Sequence, residues 1–180
     1  MNKNKNKKCL IIGRFQPFHN GHLYVVSKCL SDYKQTIIGI GSSQEDYTMK
    51  NPMTFGERKE MIEKVLISQK IKKTKFKIVS LPDIITNSQW AKYVAKKAGK
   101  FDLVVTASPF TKLLFKDGGY TVYEHILLNR KKYSGTEVRR RMLRNRDWYD
   151  LVPSATYAYL KKINISDRVS EISKTDNPYL

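Results

Sequence analysis

Five short, mostly apolar runs, separated by longer stretches with helical periodicity, constrain the fold of this chain more than any other feature. Unbroken runs of this length are typical of strands in a parallel sheet, which is buried on both faces. The runs cover residues 9–12, 35–41, 76–81, 102–106 and 120–123. Because strands and helices alternate along the chain, we predict a Rossmann-like α/β fold, a doubly wound five-stranded parallel sheet with helices on both faces.

One domain accounts for most of the chain in this interpretation. A length of 180 residues suffices for one substantial core and is short for two. No internal repeat or break in composition divides residues 9–165, which we predict to form a single domain. Residues 1–8 are predicted to be a disordered basic leader, and residues 166–180 a polar C-terminal tail.

The cellular compartment is inferred from three sequence features. No apolar run approaches the ~20 residues that a membrane span requires. The leader lacks the apolar core of a secretory signal, and two cysteines do not indicate a disulfide framework. We therefore expect a cytoplasmic protein without a membrane partner.

The formal net charge of +18 raises the question of a nucleic-acid partner. The lysines are spread over residues 70–77, 92–100 and 130–132, and no basic motif interleaved with aromatic residues stands out. A basic field also attracts polyanionic nucleotides. We interpret most of the charge as a bias in composition and do not expect nucleic acid as a partner.

Local signals mark the starts of several helices. Thr54 and Glu57 have the spacing of a capping box, and Pro109 suits the first position of a short helix. The helix that follows the third strand is predicted to be capped by Asn87 or Ser88, since both side chains can accept from a free backbone N–H.

The turn between the first strand and the first helix carries an unusual set of polar residues. It spans residues 13–22 and reads GRFQPFHNGH. In an open α/β sheet such a turn lies at the carboxyl ends of the strands, where ligands bind. His19 and His22 are three residues apart, so they share a face above the first helical turn, whose free N–H groups attract anions. Gly21 removes a side chain where a ligand could approach. The motif predicts phosphate chemistry.

A metal site or a simple helix cap is the alternative interpretation of the two histidines. A metal site would need further ligands, and the chain offers only His125, Cys9 and Cys29 in addition. Both cysteines fall in apolar segments. We therefore favour phosphate binding.

A second motif of the same kind opens a later helix. Residues 134–139 read SGTEVR, with small hydroxylated residues at the helix start and Arg139 one turn further on. Hydroxyl groups and free N–H groups bind phosphate, and a guanidinium binds it in a bidentate manner. Alone, this segment could be a capping box with a solvated arginine. Of three consecutive arginines, only Arg139 is predicted to face the phosphates, and Arg140 and Arg141 are predicted to be solvated.

Together, the two motifs resemble those of the archaeal-type nicotinamide-mononucleotide adenylyltransferases, which belong to the nucleotidyltransferase α/β superfamily with its H-x-G-H signature. The resemblance extends from about residue 9 to residue 163 and includes residues 54–58 and the spacing of Asp83, Asn87 and Trp90. It implies transfer of AMP from ATP to nicotinamide mononucleotide, which forms NAD and pyrophosphate. It also implies Mg²⁺ held through substrate phosphates, with no protein metal ligands, and a homo-oligomer, a hexamer being one option.

The resemblance also implies roles for individual residues. The catalytic residues would be His19, His22 and Arg139. The ATP and its phosphates would be bound by Gly13, Arg14, Phe15, Gln16, Gly21, Gly41, Ser134, Gly135 and Thr136. The acceptor would be bound by Lys50, Asp83, Ile84, Asn87 and Trp90. Trp90 would stack on the nicotinamide ring, with plain core packing as the alternative.

The chain departs from the family pattern in two places. Residues 50–52 read KNP where the family usually shows RDP, so a bidentate phosphate contact becomes a single ammonium. Residues 106–109 read TASP where a Gly-Asn pair is common. These departures affect individual contacts and not the type of reaction. Independently of them, three alternatives stay open: another acceptor such as pantetheine phosphate or FMN, CTP as the nucleotide, or a basic nucleic-acid-binding module.

Overall fold

A five-stranded parallel sheet is the framework of the chain in the computed structural model, which describes residues 4–124, 128–129 and 131–175. The strands are β1 (Lys8–Gly13), β2 (Gln35–Gly41), β3 (Phe76–Leu81), β4 (Leu103–Thr106) and β5 (Val122–Glu124). They lie in the order β3–β2–β1–β4–β5, and every neighbouring pair is parallel. The predicted fold class is confirmed, and each predicted strand agrees with the structure to within two residues at either end.

The strand order reverses between β1 and β4, because β2 and β3 lie on one side of β1 while β4 and β5 lie on the other. Ligands of doubly wound folds bind at this switch point, outside the carboxyl ends of the strands. The turn that begins at Arg14 leaves β1 at this point. The helices are α1 (Asn20–Asp32), α2 (Phe55–Ser68), α3 (Asn87–Ala98), α4 (Pro109–Asp117), α5 (Gly135–Leu143), α6 (Ser154–Lys162) and α7 (Ile165–Thr175).

The chain divides into two compact units. The first comprises the described residues of Met1–Gly13, Tyr24–Ser43 and Lys72–Leu127, and it contains the sheet. Its core joins strand and helix side chains, of which each large apolar one contributes about 1.5–3 kcal/mol when fully buried. The core residues are Leu10, Ile37, Val79, Leu81, Ala91, Val94, Ala98, Val104 and Phe115.

The second unit is helical and comprises the described residues of Arg14–Leu23, Gln44–Ile71 and Leu128–Leu180. In it α2 packs against α6, and α7 packs against both α5 and α6. The buried apolar residues of α2 recur at helical spacing, as an amphipathic helix requires. They are Met61, Ile62, Val65 and Leu66. No described helix is both long and apolar enough to cross a membrane.

The helix starts follow the predictions with one exception. Thr54 and Glu57 form the full capping box of α2, since the Glu57 N–H donates to Thr54 Oγ1 at 3.2 Å and the Thr54 N–H donates to Glu57 Oε2 at 2.9 Å. Pro109 is the first residue of α4. The predicted cap of α3 by Asn87 or Ser88 is wrong: Asn87 is already helical, and the N-cap residue, Thr86, makes no side-chain cap bond.

Both chain ends differ from the predictions. The prediction of a tail is wrong for residues 166–175, because Ile165, Val169 and Ile172 form a buried stripe on α7. The prediction of disorder is wrong for residues 4–8. There the Lys7 N–H donates to the Asn4 carbonyl at 2.9 Å, and β1 begins at residue 8. Residues 1–3 and 176–180 lie outside the described residues.

Candidate active site

The two histidines of the first motif hold each other in place. The His19 N–H donates to His22 Nδ1 at 3.4 Å, and the His22 N–H donates to His19 Nδ1 at 3.3 Å. Their rings stack with centroids 3.7 Å apart and an interplanar angle of 22°. Because each Nδ1 accepts a hydrogen bond, each neutral ring carries its proton on Nε2. The pair thus has two Nε2–H donors in a fixed arrangement.

Aromatic side chains support the histidine pair. Phe15 is buried and meets the His22 ring edge-on at 4.8 Å, while Phe18 lies 5.6 Å from the same ring. The φ of Phe15 is +52°, a region that side chains such as phenylalanine rarely adopt. The Phe15 side chain therefore positions His22, and its role in binding ATP stays a prediction.

Gly21 allows this close packing. A Cβ at Gly21 would lie 3.0 Å from His19 Nδ1 and 3.3 Å from the Tyr133 Cβ. Any larger residue would push against the ring that accepts the His22 N–H. The structure thus gives Gly21 a packing role, and a role in ligand approach stays a prediction.

Gln16 connects the turn to the start of α2. Its Nε2 donates to the Met53 carbonyl at 2.8 Å, and its Oε1 accepts from the Met53 N–H at 3.0 Å. The side chain is buried, and both of its polar atoms are used. The side chain of Gln16 thus has partners within the protein, and its contact with ATP stays a prediction.

The second motif meets the first at the Gln16 carbonyl, which accepts from Nη1 of Arg139 although the two residues are 123 positions apart in sequence. Gly135 allows the approach, because a Cβ there would lie 2.6 Å from the Gln16 oxygen. Ser134 caps α5 by accepting from the Glu137 N–H at 3.2 Å. Thr136 lies exposed in the first turn. The predicted convergence of the two motifs is present in the second unit.

Two guanidinium groups of this unit repel each other. Burial, and then the charge of Arg14, lower the pKa of Arg139 to about 10. No ion pair within the part of the chain that the structure describes involves either residue. An anion bound between them would relieve this repulsion and form charge-assisted hydrogen bonds.

The other two arginines of α5 bind carboxylates. Arg140 donates to both carboxylate oxygens of Glu137, at 2.7 and 2.8 Å, and lies on the surface. Arg141 donates to Glu137 at 3.0 Å and to Asp150 at 2.8 Å. The prediction of a solvated side chain is wrong for Arg141, because the carboxylate of Asp150 lies within its reach. The hydrogen bonds from these two arginines lower the pKa of Glu137 to about 2.

Arg58 is absent from the predicted site residues, yet it supports the turn. It is fully buried on α2 and donates to the carbonyls of Thr54, Arg14 and Glu45, each at 3.2 Å. A sequence signal existed, since Arg58 falls three residues before Met61 on the apolar face of the helix. A cation on such a face is found only where polar partners surround it.

The predicted acceptor residues lie in different units. Lys50 is exposed in the second unit, in the loop before α2, whereas the other four belong to the first unit. Asp83 and Asn87 are exposed, and Ile84 lines an open groove of about 700 Å³ along α3. Trp90 meets Phe115 of the core edge-on at 5.7 Å, so core packing contributes to its role. The first unit also contains Gly13 and Gly41, at the ends of β1 and β2.

Within the described ranges, no group of three or more His, Cys, Asp or Glu side chains is arranged to hold a metal ion. His125 lies outside the described residues. Cys9 and Cys29 are buried thiols in the first unit.

Acid should destabilise the protein through His19. Burial lowers its pKa from 6.5 to about 4, so the folded state favours the neutral ring. The free energy of unfolding therefore has its full value above about pH 6.5. It decreases as the pH falls towards 4, by up to roughly 3 kcal/mol. We expect the unfolding free energy of the parent to fall more steeply over this window than that of His19→Asn, whose amide oxygen can still accept the His22 N–H. Parallel curves in urea titrations would contradict this.

Comparison with known proteins identifies relatives over most of the chain. Residues 10–141 match the cytidylyltransferase-like family. A nicotinamide-nucleotide adenylyltransferase of Thermococcus sibiricus is 40% identical over 164 residues, which cover 91% of this chain and 88% of that protein. One of Saccharolobus solfataricus is 42% identical and covers 91% of this chain and 95% of that protein.

Solved structures agree in fold. A bifunctional NMN adenylyltransferase/ADP ribose pyrophosphatase from Francisella tularensis superposes with a TM-score of 0.80 at 25% identity, and this chain spans 54% of it. The same protein has been crystallised with AMP and a Mn ion, and that form superposes with a TM-score of 0.77 at 24% identity, covering 94% of this chain and 53% of that one.

Proposed function

This chain belongs to the cytidylyltransferase-like family and, within it, to the nicotinamide-nucleotide adenylyltransferases, and from that premise we propose how its residues perform the reaction. The enzyme transfers the adenylyl group of ATP to nicotinamide mononucleotide, which forms NAD and pyrophosphate. The structural observation that carries the assignment of residues is the convergence of Arg14, His19, His22 and Arg139 in one unit.

The reaction needs no general base. The attacking oxygen belongs to the 5′-phosphate of the mononucleotide, which is already ionised at neutral pH. A bond forms from this oxygen to the α-phosphorus of ATP, the bond to the β-phosphate bridge breaks, and pyrophosphate leaves with the electron pair. Catalysis therefore consists of alignment and of stabilising negative charge.

The cationic turn supplies that stabilisation. We propose that Arg14 and Arg139 bind the triphosphate oxygens and that the Nε2–H groups of His19 and His22 donate to the oxygens that gain charge. These donors are held before the substrate arrives, because each histidine Nδ1 is occupied by a backbone N–H. Preorganised donors lose little free energy to reorganisation during the reaction.

A divalent cation suits this site only as a companion of the substrate. The positioned groups are N–H donors and cations, and no metal-binding cluster exists among the described residues. We propose Mg²⁺ held by phosphate oxygens, where it would neutralise charge on the leaving pyrophosphate.

The homo-oligomer and the cytoplasmic location expected from the sequence stay predictions. Light scattering would measure the oligomeric state.

Pyrophosphate release against a panel of substrates tests the function. We expect turnover with ATP and nicotinamide mononucleotide to exceed that with FMN, pantetheine phosphate or CTP. Nicotinic acid mononucleotide belongs in the panel because the sequence does not fix this preference. Higher turnover with FMN or CTP would contradict the assignment, and salt-dependent DNA binding without pyrophosphate release would favour the nucleic-acid alternative.

Replacing Trp90 should distinguish a role in acceptor binding from a role in core packing. If its exposed face stacks on nicotinamide, Trp90→Ala will weaken acceptor binding and leave ATP affinity almost unchanged. The contact with Phe115 adds a loss of stability, which for a purely structural tryptophan would reach about 3–5 kcal/mol. Acceptor titrations beside thermal melts measure both. A large stability loss with unchanged acceptor affinity would reject stacking.

A further inference from the structure

A single arginine of the C-terminal helix fastens several parts of the second unit. Arg168 of α7 donates from Nη1 and Nη2 to the two carboxylate oxygens of Glu57, both at 2.7 Å. Its Nη1 also donates to the Pro52 carbonyl at 3.2 Å, and its guanidinium lies 4.8 Å from the centre of the Tyr47 ring. The two charged side chains are 19% and 18% exposed, so water screens this pair less than a surface pair.

The Glu57 carboxylate binds two different segments of the second unit. Besides binding Arg168, its carboxylate accepts from the backbone N–H of Thr54 and so completes the capping box of α2. Burial opposes ionisation of Glu57, but the hydrogen bonds of Arg168 and Thr54 outweigh burial and hold its pKa below the usual value. Arg168 is thereby tied to the first turn of α2.

The loop that Arg168 contacts is the one that carries Lys50. Tyr47 and Pro52 lie on either side of Lys50, and both touch the guanidinium. Between them, Thr48 and Asn51 exchange backbone hydrogen bonds of 3.1 and 3.3 Å, which closes a tight turn with Lys50 on it. Arg168 therefore holds the two ends of the turn that presents Lys50.

The end of the loop has a separate attachment. Met53 is held by the side chain of Gln16, whose carbonyl accepts from Arg139. These contacts do not involve Arg168. Loss of Arg168 would therefore release residues 47–52 and leave the phosphate-binding turn anchored.

We propose that Arg168 is a positioning residue for the acceptor: it fixes the 47–52 loop so that the Lys50 ammonium meets the phosphate of the mononucleotide. The inference rests on the proposed function, which assigns Lys50 to the acceptor. Lysine carries a point charge on a flexible stem, so its placement depends on the backbone more than that of a forked guanidinium. The loop that bears a lysine at this position has a correspondingly firm attachment.

Steady-state kinetics of Arg168→Gln test the proposal. We expect the KM for nicotinamide mononucleotide to rise about tenfold, which corresponds to the loss of roughly 1.4 kcal/mol, and the KM for ATP to change less than about twofold. Arg168→Lys should fall between parent and Arg168→Gln, since it retains the charge and loses the bidentate contact. Lys174→Gln is the matched control, because Lys174 forms an exposed ion pair with Glu171 on the same helix.

Two further measurements cover the other outcomes. If Arg168→Gln does not fold, Tyr47→Ala takes its place: Tyr47 is 57% exposed, and its loss removes one of the loop contacts, so we expect the same acceptor-selective rise in KM, about threefold. Hydrogen exchange should show faster exchange of the backbone amides of residues 47–51 in Arg168→Gln, with those of residues 14–22 unchanged.

The possible failures are distinguishable. If the parent releases no pyrophosphate with nicotinamide mononucleotide, the proposed function fails, and hydrogen exchange alone decides whether Arg168 orders the loop. If the parent is active and a folded Arg168→Gln keeps the parental acceptor KM, the positioning role is wrong. Equal rises in both KM values would also overturn it, because they would indicate a general loosening of the second unit.

Discussion

Replacing Arg139 with lysine is expected to reduce turnover at saturating substrates by ~10²-fold or more, the usual effect of losing one oriented transition-state donor. Lysine keeps the charge but cannot hold the Gln16 carbonyl and bind a phosphate with the same planar group. ATP should still bind, since Arg14 and the histidine pair remain. Pyrophosphate release under saturating ATP and acceptor measures the change.

Arg140→Lys is the matched control for this experiment. Arg140 is the neighbouring residue on the same helix, and its exposed contact with Glu137 contributes little. We expect it to turn over almost like the parent. Arg141 is a poorer control, because it also binds Asp150 and its loss would disturb the segment before α6. Equal losses in Arg139→Lys and Arg140→Lys would mean a diffuse basic field in place of a positioned arginine.

Removing the imidazole in His22→Ala is expected to leave a folded protein whose turnover is ~10²–10³-fold lower. The ring supplies an Nε2–H donor, its Nδ1 accepts the His19 N–H, and it stacks on the His19 ring, so its loss removes all three contributions. Contacts with Phe15 and Phe18 disappear as well, and the melting temperature should fall. Single-turnover rates beside thermal melts separate the chemical loss from the structural one.

Two comparison variants make the result specific. Tyr24 lies two residues further along α1, and its side chain is exposed. Tyr24→Ala should therefore retain parental turnover. His22→Gln places an amide N–H near the position of Nε2 and should recover part of the rate lost in His22→Ala. Near-parental turnover in a folded His22→Ala protein would contradict the assignment of His22 to the reaction.

Local sequence patterns determined the strands, most helix starts and the phosphate-binding motifs. The run 35–41 forms a strand that is buried on both faces, and its consecutive apolar residues already indicate this. The capping box requires only Thr54 and Glu57, which are three positions apart. The two histidines of the H-x-G-H motif are also three positions apart and bind each other directly. In the capping box and the histidine pair the interacting groups lie within one turn of the chain, so the sequence alone was sufficient.

Contacts between distant segments were decided by the tertiary structure. The sequence indicated that Arg139 belongs with the first motif, but its bond to the Gln16 carbonyl depends on the close approach that Gly135 allows, since a Cβ there would lie only 2.6 Å from that oxygen. Arg141 finds Asp150, and Arg58 finds three carbonyls, only because separate helices and loops pack together. Spacing along the chain carries no information about such partners.

The C-terminal helix shows the same division most clearly. Residues 166–175 contain few apolar side chains and many polar ones, so their composition indicated a tail. Three apolar residues at helical spacing were sufficient to dock the helix, because α5 and α6 already offered a surface to cover them. The bidentate contact of Arg168 with Glu57 follows from that docking. The polar composition by itself predicted a tail there, and only the packed structure determined that a helix forms and what its arginine holds.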